Sequence, residues 1–535
     1  MTRSAVRAGS IAIALALAWA GTGPALAQPN PEQYYNSLVS NPNLNQEAGE
    51  LWAWHANWGM GQFVQGYQAY NDTSWLDWGV QYYDFVLDHM RQAPDGYMGW
   101  IGPLPIIGSR TDEHIGDAIL FKHMLEFADL VKRDPVLASE YGQKADHYVE
   151  LAQTHLIEKW DARGTYHRAD QVGFYRWWDQ QLPEDLSEWQ HDPSRVSGFG
   201  SVTQQFNKQI AMGLNAVRLY RITGEQKYQD RAFELFGFLK SRMHHHDDTY
   251  VWNFREPALR EDVISVANNN IRTWVAVHPT NAGYQAGAIG RIVEAYHSGI
   301  VFDETDIQRL INTQLQVMWN GSLSNPSFTG PDAWIRGGST STAGTFWSGL
   351  ADFDPTIRAL RGGPGGGMRG QIMYDYFVNV TLAQEPGFDR KFVGNDEDVR
   401  VLDWPHGDTR SIMMAFLTDP VFEPGVEDTI IGSKVINPSA GSLRISLYDA
   451  AGEQELLIIE DGPSVPSWGD YVTMWDGTDG SGQPLAPGDY RIRWTWSIDS
   501  FGDDGYREYP ITLVPEPTTL TLLCLGALAL LRRRR

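Results

Sequence analysis

Apolar and aromatic residues recur at the spacing of amphipathic helices through most of the chain between residues 46 and 417. Polar and Gly-rich breaks divide this region into helical segments at residues 46–71, 75–90, 112–132, 135–160, 205–223, 225–243, 281–298 and 304–319. The segments form consecutive pairs: a short turn joins two helices, and a long aromatic loop leads to the next pair. This alternation predicts an (α/α) toroid over residues 28–420, with the long loops lining a cleft at one end. An α-solenoid is the competing arrangement, but it favours a fixed period, and the chain shows no clean repeat.

The pattern changes after residue 420. Residues 421–512 alternate apolar and polar positions between Gly and Pro residues, which predicts a small β-sandwich. The segment TMWDGTDGSGQPLAPGDYRIRW resembles the FlgD/Vpr-type immunoglobulin-like module, in which a W-D-G turn leads into a strand. The matching residues are Trp475, Asp476, Gly477, Asp479, Gly482, Pro487, Gly488 and Tyr490. The resemblance implies a spacer or binding domain without a catalytic role.

The N-terminus has the form of a secretory signal. Arg3 and Arg7 precede an apolar run, and Ala25-Leu26-Ala27 forms a small-x-small cleavage pattern. We therefore predict that residues 1–27 are a signal peptide and that signal peptidase cleaves before Gln28.

The C-terminus, residues 513–535, combines Pro515-Glu516-Pro517, a short apolar run and four arginines. The apolar run is short for a membrane span of about 20 residues, and the basic end favours the cytoplasmic side. These parts, in this order, resemble the PEP-CTERM sorting signal of Gram-negative bacteria. The resemblance implies recognition by an exosortase, a transient membrane anchor, and delivery to the cell envelope or extracellular matrix. Such proteins often accompany exopolysaccharide.

The net charge and amino-acid composition limit which classes of molecule the protein is expected to bind. The net charge of −24 and the pI near 4.9 make nucleic acid an improbable partner, because binding phosphates needs a basic face. The same charge opposes a polyanionic glycan unless a local cluster of cations overcomes it. The only cysteine, Cys524, lies in the C-terminal apolar run, so we expect no disulfide or thiol chemistry in the body. The 21 Trp and 23 Tyr residues suit stacking on sugar rings, although Trp also fills cores.

The stretch 250–284 lies between helical segments and is unusually polar and aromatic. We interpret it as the wall of a cleft for a polar, ring-shaped ligand, with a sugar chain as the best fit. Lyase chemistry needs a base, an acid and a group that neutralises a uronate carboxylate. The residues of suitable type are Asn268, Asn269, His278, Asn281 and Tyr284, with Arg272 or Arg336 to pair with a carboxylate. Asn281 also suits a helix N-cap.

Hydrolysis instead needs two carboxyl groups on opposite sides of a glycosidic bond. The candidates are Asp112 or Glu113 at one predicted helix start and Glu261 or Asp262 in the central stretch. Glu113, and less so Asp112, is also explained as a first-turn charge favoured by the helix dipole. Of the two, we therefore select Asp112 as the catalytic candidate.

The helix-pair layout, the motif YVWNF and the following Glu261-Asp262 resemble the (α/α)-toroid carbohydrate enzymes. These include polysaccharide lyases, uronyl epimerases, and inverting or unsaturated-uronyl hydrolases. In such relatives a His often follows the acid pair closely, whereas here the next one is His278. The chain thus departs from the family pattern at the point that would assign the roles.

Trp residues in the predicted loops are candidates for sugar stacking: Trp177, Trp178, Trp189, Trp252, Trp334 and Trp347. His244-His245-His246 is predicted to be a solvated helix end rather than a metal site, and no cofactor is predicted. Together these observations predict an exported, envelope-attached enzyme that acts on a polysaccharide, with lyase or epimerase action ahead of hydrolysis. The alternative is a non-catalytic glycan-binding or matrix protein on the same scaffold.

Overall fold

A computed structural model describes residues 28–104, 109–169, 172–178, 182, 202–246, 248–252, 254, 255, 258, 264, 265, 270, 271, 282–330, 345–363, 366–380, 402, 403, 413–417, 419–435, 441–465, 470–498 and 503–515. Its N-terminal part is mainly helical. The helices are α1 Pro31–Val39, α2 Glu50–Tyr70, α3 Ser74–Leu87, α4 His114–Arg133, α5 Pro135–Ala152, α6 Lys159–Ala162, α7 Phe206–Thr223, α8 Gln226–Lys240, α9 Ala282–His297, α10 Glu304–Asn312, α11 Pro355–Leu360 and α12 Gly367–Asn379.

The connections between helices confirm the predicted alternation of short turns and long loops. Short turns follow α2, α4, α7 and α9, and Gly224 ends α7 in the left-handed conformation at φ 71°. Long segments precede α4, α7 and α9, and they contain small hairpins rather than purely irregular chain. A π-helical segment, Gln153–Glu158, joins α5 to α6, so the predicted helix 135–160 is continuous to Ala162.

Side-chain contacts show that the first of each pair lies in an inner, parallel ring. Gly116 of α4 faces Ala53 of α2, and farther along His123 bonds Asn57. Between α4 and α7, Asn215 donates to the Ala118 carbonyl oxygen at 2.9 Å. Neighbouring inner helices therefore run in the same direction, and their N-terminal ends meet on one side.

The helix α12 closes the ring against α2. The Tyr70 hydroxyl donates to Asp375 at 2.7 Å, and Ile372 is buried in the core that α2 builds. On its other side, Phe377 packs against the core built by α9 and α11. An open solenoid would leave the first and last helices apart, so the structure excludes that alternative and confirms the toroid.

Two apolar cores fill the spaces between the inner and outer helices. The first is built mainly by α2 to α5 and includes the fully buried Trp75 and Trp160. The second is built mainly by α7 to α11 and includes Trp252 and Trp347, whose rings lie 6.0 Å apart. Many of the Trp residues that enrich the sequence thus pack cores.

The C-terminal part is a separate β-region. The strands of the chain are β1 Arg91–Gln92, β2 Met98–Gly99, β3 Gly102–Leu104, β4 Ser109–Thr111, β5 Tyr166–Ala169, β6 Val172–Tyr175, β7 His244–His246, β8 Thr249–Val251, β9 Ile264–Ser265, β10 Asn270–Ile271, β11 Leu402–Asp403, β12 Met413–Leu417, β13 Val421–Phe422, β14 Thr429–Val435, β15 Gly441–Asp449, β16 Glu455–Val465, β17 Asp470–Trp475, β18 Gly488–Ile498 and β19 Asp503–Leu513.

Strands β12 to β19 form two sheets with a shared core. One sheet has the order β12-β14-β17, and the other has the order β13-β19-β18-β15-β16. Ile431 and Trp475 of the first sheet belong to the same buried cluster as Ile445 and Trp494 of the second. The two-layer sandwich predicted from the alternating pattern is therefore present, and β12 extends it before residue 421.

The W-D-G segment forms the tight turn between β17 and β18. The Trp475 indole donates to the Thr478 carbonyl oxygen at 2.9 Å, and Asp479 accepts from the Gln483 amide at 3.0 Å. Gly477 adopts φ 76°, which favours glycine. These residues serve the turn itself, and the likeness to the FlgD/Vpr module stays a prediction.

In the ranges given above, no helix is long and apolar enough to cross a membrane.

Close packing of α2 on α3 makes a glycine necessary at position 66. A Cβ there would collide with the Trp75 indole, whereas a Cβ at Gly142 on α5 would meet no atom within 4 Å. We expect Gly66→Ala to lower the free energy of unfolding by about 1–3 kcal/mol through overpacking. Gly142→Ala, the matched control, should raise it by about 1 kcal/mol through helix propensity. Denaturant unfolding measures both; a neutral Gly66→Ala would contradict the packing described.

Candidate functional site

A group of polar and aromatic side chains lies where the N-terminal ends of the inner helices meet, at the long-loop end of the ring. Glu50 is the first residue of α2, and Glu113 directly precedes α4. Lys208 lies in the first turn of α7, and Tyr284 in the first turn of α9. The toroid thus brings four distant segments together at the end where the cleft was predicted.

Lys208 connects two carboxylates across this end of the ring. Its Nζ lies 3.5 Å from Glu113 Oε2 and 3.5 Å from Glu50 Oε1. The two carboxylate oxygens are therefore no farther apart than the sum of these distances. The Glu113 side chain is 4% exposed, whereas that of Glu50 is 15% exposed. The pair combines a buried carboxyl with a more accessible one.

Burial dominates the electrostatics of Glu113. It raises the pKa of this carboxyl to about 8, since Lys208 only partly offsets the loss of solvation and Glu50 raises the pKa further. Burial lowers the pKa of Lys208, but its carboxyl neighbours, Glu50 foremost, outweigh burial and raise this pKa above its usual value, which keeps the amine charged. Glu113 is thus protonated at neutral pH and able to donate a proton.

His114 lies beside Glu113 as a neutral imidazole. Its ring stacks on Tyr175 at 5.6 Å, and burial together with Lys208 and Lys159 holds its pKa well below the usual value. Its Nε2 is buried without a hydrogen-bond partner. An unpaired buried nitrogen of this kind is available to a ligand or an ordered water.

Further unpaired polar atoms follow at the start of α7. The side-chain oxygen and nitrogen of Gln204, and the side-chain oxygen of Asn207, are buried without a partner. Buried amides are normally satisfied, because leaving one unpaired costs about 1–3 kcal/mol. In proteins, ordered water or a polar ligand commonly satisfies such buried atoms.

Aromatic rings border the same place. The Trp177 ring lies 4.2 Å from Lys208 Nζ, and Tyr284 lies between Trp54 at 5.8 Å and Phe254 at 5.9 Å. Burial raises the pKa of Tyr284, and Glu50 adds to this shift, so the phenol stays protonated. Two residues selected from sequence, Trp177 and Tyr284, are thus placed next to Glu113 and Lys208.

Asp112 points into a different environment from its neighbour. Its carboxylate accepts from Lys159 at 3.1 Å and from Arg163 at 2.8 Å, and it is 1% exposed. Lys159 also pairs with Asp117 at 2.6 Å. Although burial opposes ionisation, the two cations hold the pKa of Asp112 below its usual value. The structure therefore assigns Asp112 to a buried ion-pair network, and Glu113 takes the position facing Lys208.

Three of the predicted stacking residues are enclosed. Trp178 is 8% exposed and is covered by Arg163, whose guanidinium carbon lies 3.8 Å from the ring. Trp252 is 3% exposed and packs on the fully buried Trp347 in the second core. None of these rings offers an open face, because protein atoms already occupy the space that a sugar would need.

The other predicted site residues lie outside the described residues: Trp189, Glu261, Asp262, Asn268, Asn269, Arg272, His278, Asn281, Trp334 and Arg336. The prediction of a helix end at His244–His246 is wrong, because α8 ends at Lys240 and these residues form β7 between β8 and β11. Within the part of the chain that the structure describes, no group of three or more His, Cys, Asp or Glu residues is placed to hold a metal ion.

Sequence reasoning missed Glu50, Trp54, His114 and Lys208. Their position in the chain is the feature that could have identified them. Each lies within the first two turns of the first helix of a predicted helix pair. These are the inner helices, whose starts face one another at the long-loop end.

The C-terminus matches a known sorting signal over residues 513–535, the PEP-CTERM protein-sorting motif. This chain carries a PEP-CTERM motif. The motif confirms the predicted recognition signal and indicates an exported protein associated with the cell envelope. A search of curated proteins finds no match.

Among solved structures, an α-mannanase of Bacteroides thetaiotaomicron is 10% identical, with 66% of this chain and 95% of that chain covered at a TM-score of 0.35. The cellobiose 2-epimerase of Spirochaeta thermophila is 12% identical, with 66% and 100% covered at a TM-score of 0.27. An inactive variant of an α-1,6-mannanase from Salegentibacter, bound to mannotriose, is 13% identical, with 52% and 66% covered at a TM-score of 0.29.

Substitutions of the adjacent carboxyl residues Asp112 and Glu113 should change the stability of the fold in opposite directions. Glu113 has a folded pKa of about 8 against an ordinary value of 4.5, so folding at pH 7 requires proton uptake. Glu113→Gln removes this cost and should stabilise the fold at pH 7 by on the order of 3 kcal/mol, an effect that vanishes as pH falls toward 4.5. Asp112→Asn should destabilise it by about 3 kcal/mol, because Lys159 and Arg163 lose a buried partner.

Thermal unfolding of both variants between pH 5 and pH 8 measures these effects. A loss of stability in Glu113→Gln at pH 7 would show that its carboxyl is a structural group like Asp112.

Proposed function

We propose that the helical ring is an exported enzyme that cleaves a glycosidic bond in a polysaccharide, with Glu113 as the general acid. The observation that carries this proposal is the placement of Glu113. It is a buried, protonated carboxyl beside a second carboxylate, Glu50, at the long-loop end of the ring. Aromatic rings, which suit a sugar chain, lie close by: Trp54 contacts Glu50 and Tyr284, and Trp177 lies over Lys208.

In this mechanism Glu113 protonates the glycosidic oxygen as the bond to the anomeric carbon breaks. Glu50 faces the opposite side of the sugar, where its carboxylate either activates water or attacks the anomeric carbon. Lys208 lies 3.5 Å from an oxygen of each carboxyl group, so after bond cleavage it stabilises the Glu113 carboxylate until a proton returns. Glu261 or Asp262, which follow Phe254 along the chain, is the alternative source of the second carboxylate.

Lyase or epimerase action is the second candidate. It draws on Tyr284, which stands 5.8 Å from Trp54 in the same cluster, and on His278 and Asn281 of the central stretch. The Tyr284 phenol is protonated at neutral pH, so it is a candidate proton donor to the leaving oxygen, and another group must remove the C5 proton. Hydrolysis is favoured because Glu113 and Glu50 supply the pair of carboxyl groups that it needs.

Glu113→Gln should lower kcat by about 10²–10⁴-fold while leaving glycan binding in place, because the amide keeps the shape but holds no transferable proton. The exported protein is incubated with a panel of polysaccharides, and new reducing ends are measured beside the ultraviolet absorbance of unsaturated uronates. Glu158→Gln, an exposed change on the outer helical layer, is the matched control.

Reducing ends without the absorbance identify a hydrolase, and reducing ends with it identify a lyase. Binding without either signal would reject glycosidic-bond cleavage and leave epimerase action or glycan binding alone.

The pH dependence gives an independent check. A general acid must be protonated before catalysis, so kcat/KM should be constant at neutral pH and fall as pH rises through about 8. The fall should be absent from the residual activity of Glu113→Gln. If the wild-type profile is flat to pH 9 and above, Glu113 does not act as the acid.

A further inference from the structure

One side of α2 points into the interior of the ring. The Glu50 carboxylate lies 3.5 Å from Lys208 Nζ of α7. One turn farther along the helix, the Trp54 ring lies 5.8 Å from that of Tyr284 of α9. The neighbours of α2 in the ring are α4 and α12, so both contacts cross the interior rather than join adjacent helices. The side of α2 that carries Glu50 and Trp54 is therefore its inward-facing side.

Trp58 continues this inward-facing side. It follows Trp54 by four residues and Glu50 by eight, so it lies one turn beyond the first and two turns beyond the second. The helix rise places it about 12 Å deeper than Glu50. Its ring packs against His55 at 5.2 Å, yet it is 52% exposed, more than any other Trp that the structure describes. A large aromatic surface inside the ring is thus open to a ligand.

A chain of hydrogen bonds and ion pairs joins four inner helices at a similar depth. Asn57 Oδ1 of α2 lies 3.0 Å from His123 Nε2 of α4, and the other nitrogen of this imidazole lies 3.2 Å from Glu126. Glu126 in turn pairs with Arg218 of α7 at 3.4 Å. Arg218 donates twice to Glu294 of α9, with both distances 2.8 Å. These five side chains form one connected belt.

The belt lies just beyond Trp58 and narrows the interior there. Arg218 follows Lys208 by ten residues, which places it about 15 Å deeper along α7. The His, Arg and Glu side chains of the belt are only 7% to 24% exposed. A Cβ at Gly61 would lie 2.8 Å from the His123 ring, so α2 and α4 pack closely at this level. The described side chains thus shape a pocket that opens at the long-loop end and ends at the belt.

We propose that this pocket receives the end of a sugar chain and that Trp58 stacks on the sugar that enters deepest. The inference rests on the proposed function and specifies where on its substrate the enzyme acts. An aromatic surface in a polar pocket suits the apolar face of a sugar ring, whereas the belt prevents the chain from passing through. Trp58 lies about 12 Å below Glu50, farther than one sugar ring extends. Cleavage therefore starts at a chain end and releases a short oligosaccharide of fixed length.

The binding test uses Glu113→Gln, so that a bound chain is not cut. The probes are cello-, manno-, xylo- and laminarihexaose, with glucose, mannose and xylose as single-ring sugars. Isothermal titration calorimetry measures their affinities. At least one hexasaccharide should bind more tightly than its single-ring sugar, because only the longer chain reaches Trp58 and Glu50 together.

Adding Trp58→Ala to Glu113→Gln should lower the affinity for that hexasaccharide by about tenfold, a loss typical of an aromatic contact residue. Trp58→Tyr should retain most of the affinity, because an aromatic ring remains. Leu323→Ala is the matched control, since it shortens a similarly exposed apolar side chain in the loop between α10 and α11. All three variants should melt close to their parent, because neither side chain is buried.

A second measurement follows the cleavage products of the wild type. Entry from a chain end predicts that one short oligosaccharide appears from the first turnovers and that the viscosity of the polysaccharide falls slowly. Cutting within chains predicts products of mixed length and a rapid fall in viscosity. Trp58→Ala should lower kcat/KM for the polysaccharide and leave its pH dependence unchanged, since Trp58 holds the chain and transfers no proton.

Unchanged hexasaccharide affinity in Trp58→Ala would overturn the stacking site, and products of mixed length from the first turnovers would overturn the closed pocket. Failure of every hexasaccharide to bind would overturn the assignment of a sugar chain. Binding that depends on Trp58, without any cleavage by the wild type, would instead reject the proposed function and keep the pocket. The two failures are thus distinguishable.

Discussion

Parallel packing of the inner helices is the constraint on which the site depends. Arg218 on α7 spans from Glu126 on α4 to Glu294 on α9, so ion pairs fix the register of three inner helices at one depth. With the register fixed there, the first turns of the same helices also align. Glu50, Glu113 and Lys208 meet because each occupies the same level of its own helix. The chemistry at the ring's end therefore follows from packing in its interior.

Asp112 and Glu113 show that two adjacent residues at the start of a helix can lie in different electrostatic environments. Adjacent side chains diverge, so Asp112 meets Lys159 and Arg163 while Glu113 faces the ring's open end. The first carboxyl gains two cations and is stabilised as an anion. The second gains only Lys208, shared with Glu50, and stays protonated. A buried carboxyl group that lowers the stability of the fold is expected mainly at a functional site.

Helical periodicity predicted the eight helical segments between residues 46 and 319 to within a few residues, because apolar spacing and turn residues are local properties. It missed α1, gave no bounds for α11 and α12, and extended the helical region to residue 417, where the structure has strand β12. It also predicted the toroid and the cleft end, since loop length alternates with helix pairing. The site was harder to predict. Glu113 resembled an ordinary first-turn charge, and Trp252 resembled a loop aromatic, because sequence does not show which face of an element meets a partner 90 or more residues away. Residues 250–284 attracted attention by composition, yet Tyr284 acquires its neighbours Trp54 and Phe254 only through the fold.

Net charge and local charge act separately in this protein. The chain carries −24 overall, yet arginines inside the ring join the inner helices through ion pairs. Salt screens exposed charges beyond about 10 Å, so the acidic exterior has little influence on these pairs. Partly buried pairs are screened much less than exposed ones. The net negative charge therefore favours solubility, while the paired charges inside the ring fix the helix register on which the candidate site depends.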